Sequence, residues 1–216
     1  MTSRYKNFLV GFEPKPLQVS GNRIYINDFI DGDFGVGLAD INDALAEFGD
    51  GDRVEVHINS PGGSVSEGVA IANVIAGRPR TDTVISGMAA SIASVIAMGG
   101  DEVSMHANSM LMIHKPMSIV LGGSDSMRKE ADVLDKIEDE MLIPSYSRTG
   151  LSTTELKSML AAETWMGAKE AREKRFIDSV VDNSETGAEN AVRNSKVCKN
   201  YLHKLRAKAI RTRYGN

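Results

Sequence analysis

Apolar positions recur along the chain with two alternating periods. Alternation at every second residue, as in RIYIN at 23–27 and VEVHIN at 54–59, predicts strands, whereas intervals of three and four residues predict helices. From these patterns and from short apolar runs between turns, strands are expected at 23–27, 54–59, 83–87, 102–105, 109–114 and 176–182. Helices are expected at 36–48, 66–76, 89–98, 126–143, from Ser152 onward and at 168–174. Alternating strands and helices predict an α/β domain.

The stretch 126–143 predicts a long amphipathic helix. Its apolar residues form one stripe among charged neighbours, namely Met127, Ala131, Leu134, Ile137 and Met141. Such a helix either lies on its own domain or is an arm that packs against another subunit, and the spacing favours neither. Pro144 interrupts it, and the next helix starts at a capping box formed by Ser152 and Glu155.

Composition is that of an ordinary globular protein. The 216 residues, 42% hydrophobic and 25% charged, suffice for one domain with a single core. No apolar run approaches the roughly 20 residues that span a bilayer, and MTSRYKNFLVGF at the start lacks the features of a secretory signal. The single cysteine, Cys198, cannot form an internal disulfide, so we expect a cytoplasmic protein without a membrane partner.

Two terminal segments differ from the domain expected at 21–182. Residues 1–20 contain Pro14 and Pro16, and residues 183–216 carry eight Lys or Arg against two Glu. This basic tail holds a charge of +6 in a chain of net charge −4, which leaves −10 on the rest. It is either an interaction tail or a solvated extension. Nucleic acid is disfavoured as its partner because no aromatic residues are interleaved to stack on bases.

The segment GMAASIAS at 87–94 is the first candidate for catalytic chemistry. A strand ends near Gly87, small residues allow a sharp turn, and a helix begins at about Ser91. A hydroxyl at such a turn lies beside outward-pointing backbone N–H groups, which can stabilise an oxyanion. The predicted strand–turn–helix geometry is that of a nucleophile elbow, although the consensus sequence of that motif is absent. The same small residues also suit close packing between elements.

The glycine pair in SPGGS at 60–64 is the second candidate. Adjacent glycines after a strand permit positive φ and a close approach of the backbone to a ligand. The N–H groups near Gly63 are therefore available to an oxyanion or an extended peptide. An ordinary tight turn is the alternative for this motif on its own.

His114 ends the expected strand SMLMIH and precedes Lys115 and Pro116. A histidine at a strand end lies at the rim of a site, where its ordinary pKa near 6.5 suits it to accept a serine proton. Three other histidines are expected to be at the surface or structural: His57 in mid-strand, His106 in a turn and His203 in the tail.

Taken together, these motifs resemble a known family. The segments INSPGGSVSEGVAI, GMAASIASVIAMGG, SMLMIHKP and ETWMGAKEA occur in the order and spacing of ClpP, the proteolytic subunit of the Clp protease. The resemblance runs from about Arg23 to Asp182 and is strongest to the ClpP-related head maturation proteases of tailed phages and prophages. It implies a ClpP/crotonase-like fold of repeated β-β-α units, with a protruding handle helix at about 122–148.

The resemblance also implies roles for individual residues. Position by position, the nucleophile falls on Ser91, the general base on His114 and the triad acid on Glu163, where bacterial enzymes usually have aspartate. The oxyanion donors fall on the backbone N–H groups of Gly63 and Ile92. No cofactor and no metal are implied. The expected enzyme is a serine endopeptidase acting through an acyl-enzyme.

Two positions and one segment depart from the family pattern. Ala162 replaces an arginine that joins stacked rings in bacterial enzymes, so coupling of activity to two-ring assembly does not follow. Arg175 replaces a glycine that would favour a left-handed cap after the last helix. Residues 1–20 do not match the loops that engage a partner ATPase, and the chain has no phosphate-binding loop, so any use of ATP would be by a partner.

The expected partners follow from the resemblance. They are a polypeptide substrate, further copies of the chain in a ring, and either a Clp-type ATPase or phage scaffold and capsid proteins, in the host cytoplasm or a phage prohead. Three alternatives remain: a crotonase-like acyl-CoA enzyme, a serine–lysine dyad using Lys115, and a catalytically idle assembly protein of the same fold.

Overall fold

The expected strands assemble into one sheet. In the computed structural model, which describes residues 17–182, the strands of this sheet are Gln18–Ser20 (β1), Arg23–Ile26 (β2), Val54–Ser60 (β3), Thr81–Ala90 (β4), Val103–His106 (β5), Met110–Ile113 (β6), Thr164–Gly167 (β7) and Ser179–Val181 (β8). The path through it is β1-β2-β3-β4-β5-β8, and β6 branches off to pair with β4 and β7. β1 and β7 are antiparallel to their partners, and the other pairings are parallel.

Helices connect the parallel strands and cover the sheet. The α-helices of the described part are Leu38–Leu45 (α1), Val65–Gly77 (α2), Ile92–Ala97 (α3), Ser124–Ile137 (α4), Ile143–Ser145 (α5), Thr153–Ala161 (α6) and Ala168–Glu173 (α7). A π-helical segment, Glu138–Leu142, joins α4 to α5, and a 3₁₀ turn, Ser147–Thr149, follows. The mixed α/β fold expected for ClpP is confirmed.

The period of two in β3 sets the position of the core. Val54, Val56 and Ile58 are fully buried, while Glu55 and His57 between them point to the opposite, partly exposed face. The helices α2 and α3 pack closely on this side because Gly68 lies against Ile92. A Cβ on that glycine would come within 2.3 Å of the isoleucine side chain. The lack of a side chain at Gly68 thus lets α2 and α3 pack closely together.

Strand β4 is longer than the sequence predicted and forks the sheet. Its first half, Thr83–Ile85, pairs with β5, and its second half, Met88–Ala90, pairs with β6. The expected helix at 89–98 was therefore wrong at its start, because small apolar residues such as Ala89 suit a buried strand and a helix equally. His106, expected in a turn, is instead the buried last residue of β5.

Two short strands were not predicted. β1 lies within the expected N-terminal segment 1–20 and pairs with β2, so the sheet begins before residue 21. β7 contains the ETW motif and pairs with β6 through Met112 and Trp165. Their segments, QVS and TWMG, contain only one and two apolar residues, so no alternation marks them.

The handle helix α4 protrudes, since none of its residues is buried. The predicted helix at 126–143 is confirmed in outline, although it changes to π geometry before Pro144. The capping box is confirmed: the Glu155 N–H donates to Ser152 Oγ at 3.2 Å and the Ser152 N–H to Glu155 Oε2 at 2.9 Å. After α7, Arg175 has a φ of 61° in the left-handed region, where the family favours glycine.

Candidate active site

Ser91 occupies a sharp turn between β4 and α3. Its φ of 57° and ψ of −130° are unusual for a residue with a side chain, and surrounding contacts must hold such a conformation. Its N–H donates to the carbonyl oxygen of Met112 in β6 at 2.9 Å. On the other side lies Gly62, where a Cβ would come within 2.7 Å of the Ser91 Cβ. The turn therefore requires glycine at 62 and presents the hydroxyl of Ser91 outward.

His114 follows β6 and reaches this hydroxyl. Its Nε2 lies 2.7 Å from Ser91 Oγ. In the tautomer protonated on Nδ1, His114 Nε2 accepts a hydrogen bond from the Ser91 hydroxyl. The next residue is fixed too, since the Lys115 N–H donates to the Leu160 carbonyl oxygen at 3.1 Å. Partial burial lowers the pKa of His114 below its ordinary value, and the charge of Glu163 opposes this effect. The imidazole is therefore a neutral base at neutral pH.

The glycine loop supplies a free backbone donor beside the serine. Gly63 has a φ of 155°, and a Cβ there would come within 2.1 Å of the Ile30 carbonyl oxygen. The neighbouring N–H groups are used, that of Gly62 by Ser60 Oγ and that of Ser64 by Ile30. Within residues 17–182, the N–H of Gly63 has no acceptor.

The N–H of Ile92 is a second backbone donor without an acceptor among the described residues. It is the first of α3 and so has no acceptor within that helix. Ser91, His114, Gly63 and Ile92 border one pocket of about 80 Å³. The other lining residues are mainly apolar: Val65, Pro116, Met117, Leu142 and Tyr146. A larger open depression of about 570 Å³, between α7 and β8, contains none of the predicted site residues.

Glu163 lies near this group without bonding to it. It occupies a left-handed turn with a φ of 49°, and its Oε1 accepts a hydrogen bond from Trp165 Nε1 at 3.2 Å. Among the described residues, no hydrogen bond joins it to His114. Its charge nevertheless raises the pKa of that histidine. The structure thus brings the predicted nucleophile, base and oxyanion donors together. The predicted acid, Glu163, is hydrogen-bonded to Trp165 instead of His114.

Residues 44–184 match the family model described as Clp protease. The chain belongs to the Clp protease family. It is 34% identical over 131 residues to ATP-dependent Clp protease proteolytic subunit 2 of Bacillus licheniformis, covering 59% of this chain and 69% of that one. The proteolytic subunit of Streptococcus uberis is 32% identical over 143 residues, covering 61% and 70% of the two chains. The resemblance to ClpP is confirmed, and the closer kinship with phage enzymes stays a prediction.

His57 makes structural contacts outside the site. His57 lies between Ser86 Oγ, 2.9 Å from its Nδ1, and Glu55 Oε2, 3.1 Å from its Nε2, on the sheet face away from the core. His203 and Cys198 lie outside the described residues. None of the helices between residues 17 and 182 combines the length and the apolar character needed to cross a bilayer.

Sequence reasoning missed the residues that the handle contributes to the pocket. Leu142 and Tyr146 come from the segment after α4 and line the pocket about 50 residues after Ser91 in sequence. Neither belongs to a motif, so only their apolar character marked them, and this fits a core position equally well. The serine–lysine alternative is not supported, because Lys115 Nζ forms an ion pair with Glu138.

Proposed function

We propose that this chain is a serine endopeptidase that cleaves peptide bonds through an acyl-enzyme on Ser91. The observation that carries the proposal is the distance of 2.7 Å between Ser91 Oγ and His114 Nε2. The turn is bordered by the backbone N–H groups of Gly63 and Ile92, which have no acceptor within residues 17–182. Membership of the Clp protease family supports the same reaction. The three features together are what acyl transfer needs: a nucleophile, a base and an oxyanion site.

The first half of the proposed reaction forms the acyl-enzyme. Ser91 Oγ attacks the carbonyl carbon of the substrate while His114 Nε2 takes the hydroxyl proton. The carbonyl oxygen becomes an oxyanion that accepts hydrogen bonds from the N–H groups of Gly63 and Ile92. When the intermediate collapses, the carbon–nitrogen bond breaks and His114 returns the proton to the leaving amine.

The second half releases the acyl group. A water molecule loses a proton to His114 Nε2 and attacks the ester carbonyl, and the same two N–H groups hold the second oxyanion. The carbon–oxygen bond to Ser91 then breaks, and the serine regains its proton from His114. The net reaction is hydrolysis of one peptide bond, and the enzyme returns to its starting state.

Glu163 is proposed as the acid that supports the imidazolium. A carboxylate accepting the Nδ1 proton would fix the tautomer of His114 and stabilise its charge during both half-reactions. The support for this role is electrostatic, because the Glu163 charge already raises the pKa of His114. The hydrogen bond to His114 would be made by one of the two carboxylate oxygens, of which Oε1 accepts from Trp165 Nε1 in the structure.

The pocket suggests which side chain precedes the cleaved bond. It is small, at about 80 Å³, and its walls are largely apolar. We therefore expect an aliphatic residue at this position rather than an aromatic or charged one. The exposed backbone at Gly63 lies beside it and suits an extended, unfolded polypeptide as the substrate.

Assembly and partners are proposed from the family. Relatives are named as proteolytic subunits of ATP-dependent proteases, which suggests a ring of several copies and a separate Clp-type ATPase. The protruding α4 is the element proposed to join copies. The resemblance to phage enzymes suggests scaffold or capsid proteins as the substrates, in a host cytoplasm or a prohead.

The test uses the full-length protein without any ATPase. Purified wild type should degrade an unfolded polypeptide and be labelled by a fluorophosphonate at Ser91, whereas Ser91→Ala should do neither. Asn108→Ala, in the turn between β5 and β6, is a control for mutation away from the site. A wild type that is neither labelled nor proteolytic would refute the proposal and favour the idle assembly protein.

A further inference from the structure

Two buried hydroxyl groups connect the segment after the handle to the nucleophile turn. Tyr146 OH lies 2.8 Å from Ser94 Oγ, and Ser94 Oγ lies 2.5 Å from the carbonyl oxygen of Ser91. Both side chains are almost inaccessible, with Tyr146 1% exposed and Ser94 0% exposed. The three residues form a chain of hydrogen bonds that ends on the main chain of the proposed nucleophile.

The direction of the bonds follows from the available protons. The Ser91 carbonyl can only accept, so Ser94 donates its one hydroxyl proton there. Ser94 Oγ is then an acceptor toward Tyr146, whose hydroxyl must donate. Burial raises the pKa of Tyr146 far above neutral pH, so this donor keeps its proton under all working conditions.

The position of Tyr146 is itself fixed by packing. Its ring contacts Phe176 edge to face, with a centroid distance of 5.7 Å, and one side of it lines the pocket. A rigidly held phenol is a suitable anchor, since little conformational entropy is lost when its hydroxyl bonds.

The carbonyl of Ser91, which these hydrogen bonds hold, belongs to the same peptide unit as the N–H of Ile92. A trans peptide is planar, and its C=O and N–H point in opposite directions. Fixing the oxygen toward Ser94 therefore fixes the direction of the N–H toward the pocket. The same oxygen also accepts the Ser94 backbone N–H at 3.0 Å, so the hydroxyl adds a second hydrogen bond to a peptide unit that lies beside the unusual φ and ψ of Ser91, 57° and −130°.

We propose that Ser94 and Tyr146 are positioning residues that aim the Ile92 N–H at the oxyanion. The proposal rests on the proposed function, because it assigns the residues that orient one of its two oxyanion donors. Neither side chain touches the substrate's reacting atoms. They act through the Ser91–Ile92 peptide and contribute when negative charge develops on the substrate oxygen.

The test compares Tyr146→Phe and Ser94→Ala with two matched variants. Tyr25→Phe removes a tyrosine hydroxyl on β2, and Ser109→Ala removes a buried serine hydroxyl that has no partner among the described residues. Loss of one hydrogen bond between Tyr146, Ser94 and the Ser91 carbonyl should lower kcat by about 3- to 10-fold and leave KM within about twofold. The double variant Ser94→Ala/Tyr146→Phe should be little worse than Ser94→Ala, because both act through one oxygen atom. The two control variants should keep wild-type kcat.

Binding of a tetrahedral adduct separates this role from a general structural one. A dipeptide boronic acid ending in an aliphatic residue bonds to Ser91 Oγ and places an oxygen in the oxyanion site. Tyr146→Phe and Ser94→Ala should weaken it by the same factor as kcat, while an uncharged peptide that binds without reacting should be unaffected. Equal weakening of both probes, or wild-type kcat in both variants, would overturn the inference.

A crystal structure of Ser94→Ala gives an outcome that does not depend on activity. A rotated Ser91–Ile92 peptide supports the positioning role even if the wild type proves inactive, which would count only against the proposed function. An unrotated peptide together with an unchanged Ser91 Oγ to His114 Nε2 distance counts against this inference alone.

Discussion

Lys115 Nζ lies 3.0 Å from Glu138 Oε2, and this ion pair joins the residue after the proposed base to the first residue of the π-helical segment. The two partners differ in environment, since the Glu138 side chain is 5% exposed and that of Lys115 is 49% exposed. A buried carboxylate needs a charged or hydrogen-bonding partner, so the lysine reaches in from the surface. The pair anchors the base of the handle next to His114.

Removing the lysine should therefore destabilise the fold. Lys115→Met leaves the Glu138 carboxylate buried without its cation, at a cost of about 1–3 kcal/mol in the free energy of unfolding. Urea denaturation measures this cost. The control is Lys157→Met, whose partner Asp139 is half exposed and keeps its hydration; it should change stability little. Equal stability of the two variants would show that the buried pair does not anchor the handle.

The nucleophile and base should act as a unit. Ser91→Ala and His114→Ala should each abolish peptide hydrolysis, and the double variant should be little slower than either one, because the hydroxyl and the imidazole share one proton transfer. Rates with a fluorogenic peptide and far-UV circular dichroism measure activity and folding together. Multiplicative losses in the double variant would indicate independent roles.

The acid role of Glu163 predicts a shift of the pH profile. Burial lowers the pKa of His114 and Glu163 raises it, so Glu163→Gln should lower that pKa further. The base works when neutral, and activity rises with pH through this pKa. The acidic limb of kcat/KM should therefore move to lower pH, while kcat falls because the imidazolium loses its negative partner. Glu170→Gln on α7 serves as the control, and an unmoved acidic limb would place the third member of the triad elsewhere.

Trp165 should restrain the same carboxylate. Its indole N–H donates to Glu163 Oε1 at 3.2 Å, and Trp165→Phe keeps an aromatic ring while removing the donor. The freed carboxylate should turn toward His114, raise the pKa of the imidazole and increase kcat. The acidic limb would then move to higher pH, opposite to Glu163→Gln. A fall in kcat would instead mean that the indole holds Glu163 in a productive place.

The sequence predicted the parts of the fold that repeat a period or carry a motif. Val54, Val56 and Ile58 marked a strand by alternation, and Ser91 and His114 stood in motifs, so their places in the chain were readable. The extent of β4 was not, because Ala89 and Ala90 fit both a strand and a helix. Burial and pairing with β6 decided for the strand.

The long-range contacts of the site were beyond sequence reasoning for a different reason. Tyr146 and Glu138 carry no local signal, and their partners Ser94 and Lys115 are brought to them by the packing of the handle base on the domain. The orientation of Glu163 depends on its hydrogen bond with Trp165, two residues further along the chain. A motif in the sequence locates this residue but does not show which group its carboxylate binds.

The apolar stripe of α4, which includes the exposed Met127 and the partly exposed Leu134, predicts the surface that joins copies of the chain. Met127 and Leu134 lie seven residues apart and so share one face of the helix, and Met127 is 51% exposed. The stripe expected from sequence also included Ile137, but that residue packs against the core of its own domain. A charge at 137 would therefore destabilise the fold of the subunit. Charges at 127 and 134 instead test whether this face of α4 binds another copy of the chain.

Met127→Glu/Leu134→Glu should consequently split the proposed oligomer. Two carboxylates in an apolar contact would lose their hydration without a partner, so association should weaken by at least tenfold while each subunit stays folded. Lys129→Gln/Lys136→Gln changes the net charge equally on the opposite face of α4 and should leave assembly intact. Light scattering gives the mass of each variant, and peptide hydrolysis gives its activity. Because Leu142 and Tyr146 follow the handle and line the pocket, the dissociated variant should also lose activity. A wild type that is monomeric and fully active would contradict the proposal that α4 joins copies of the chain.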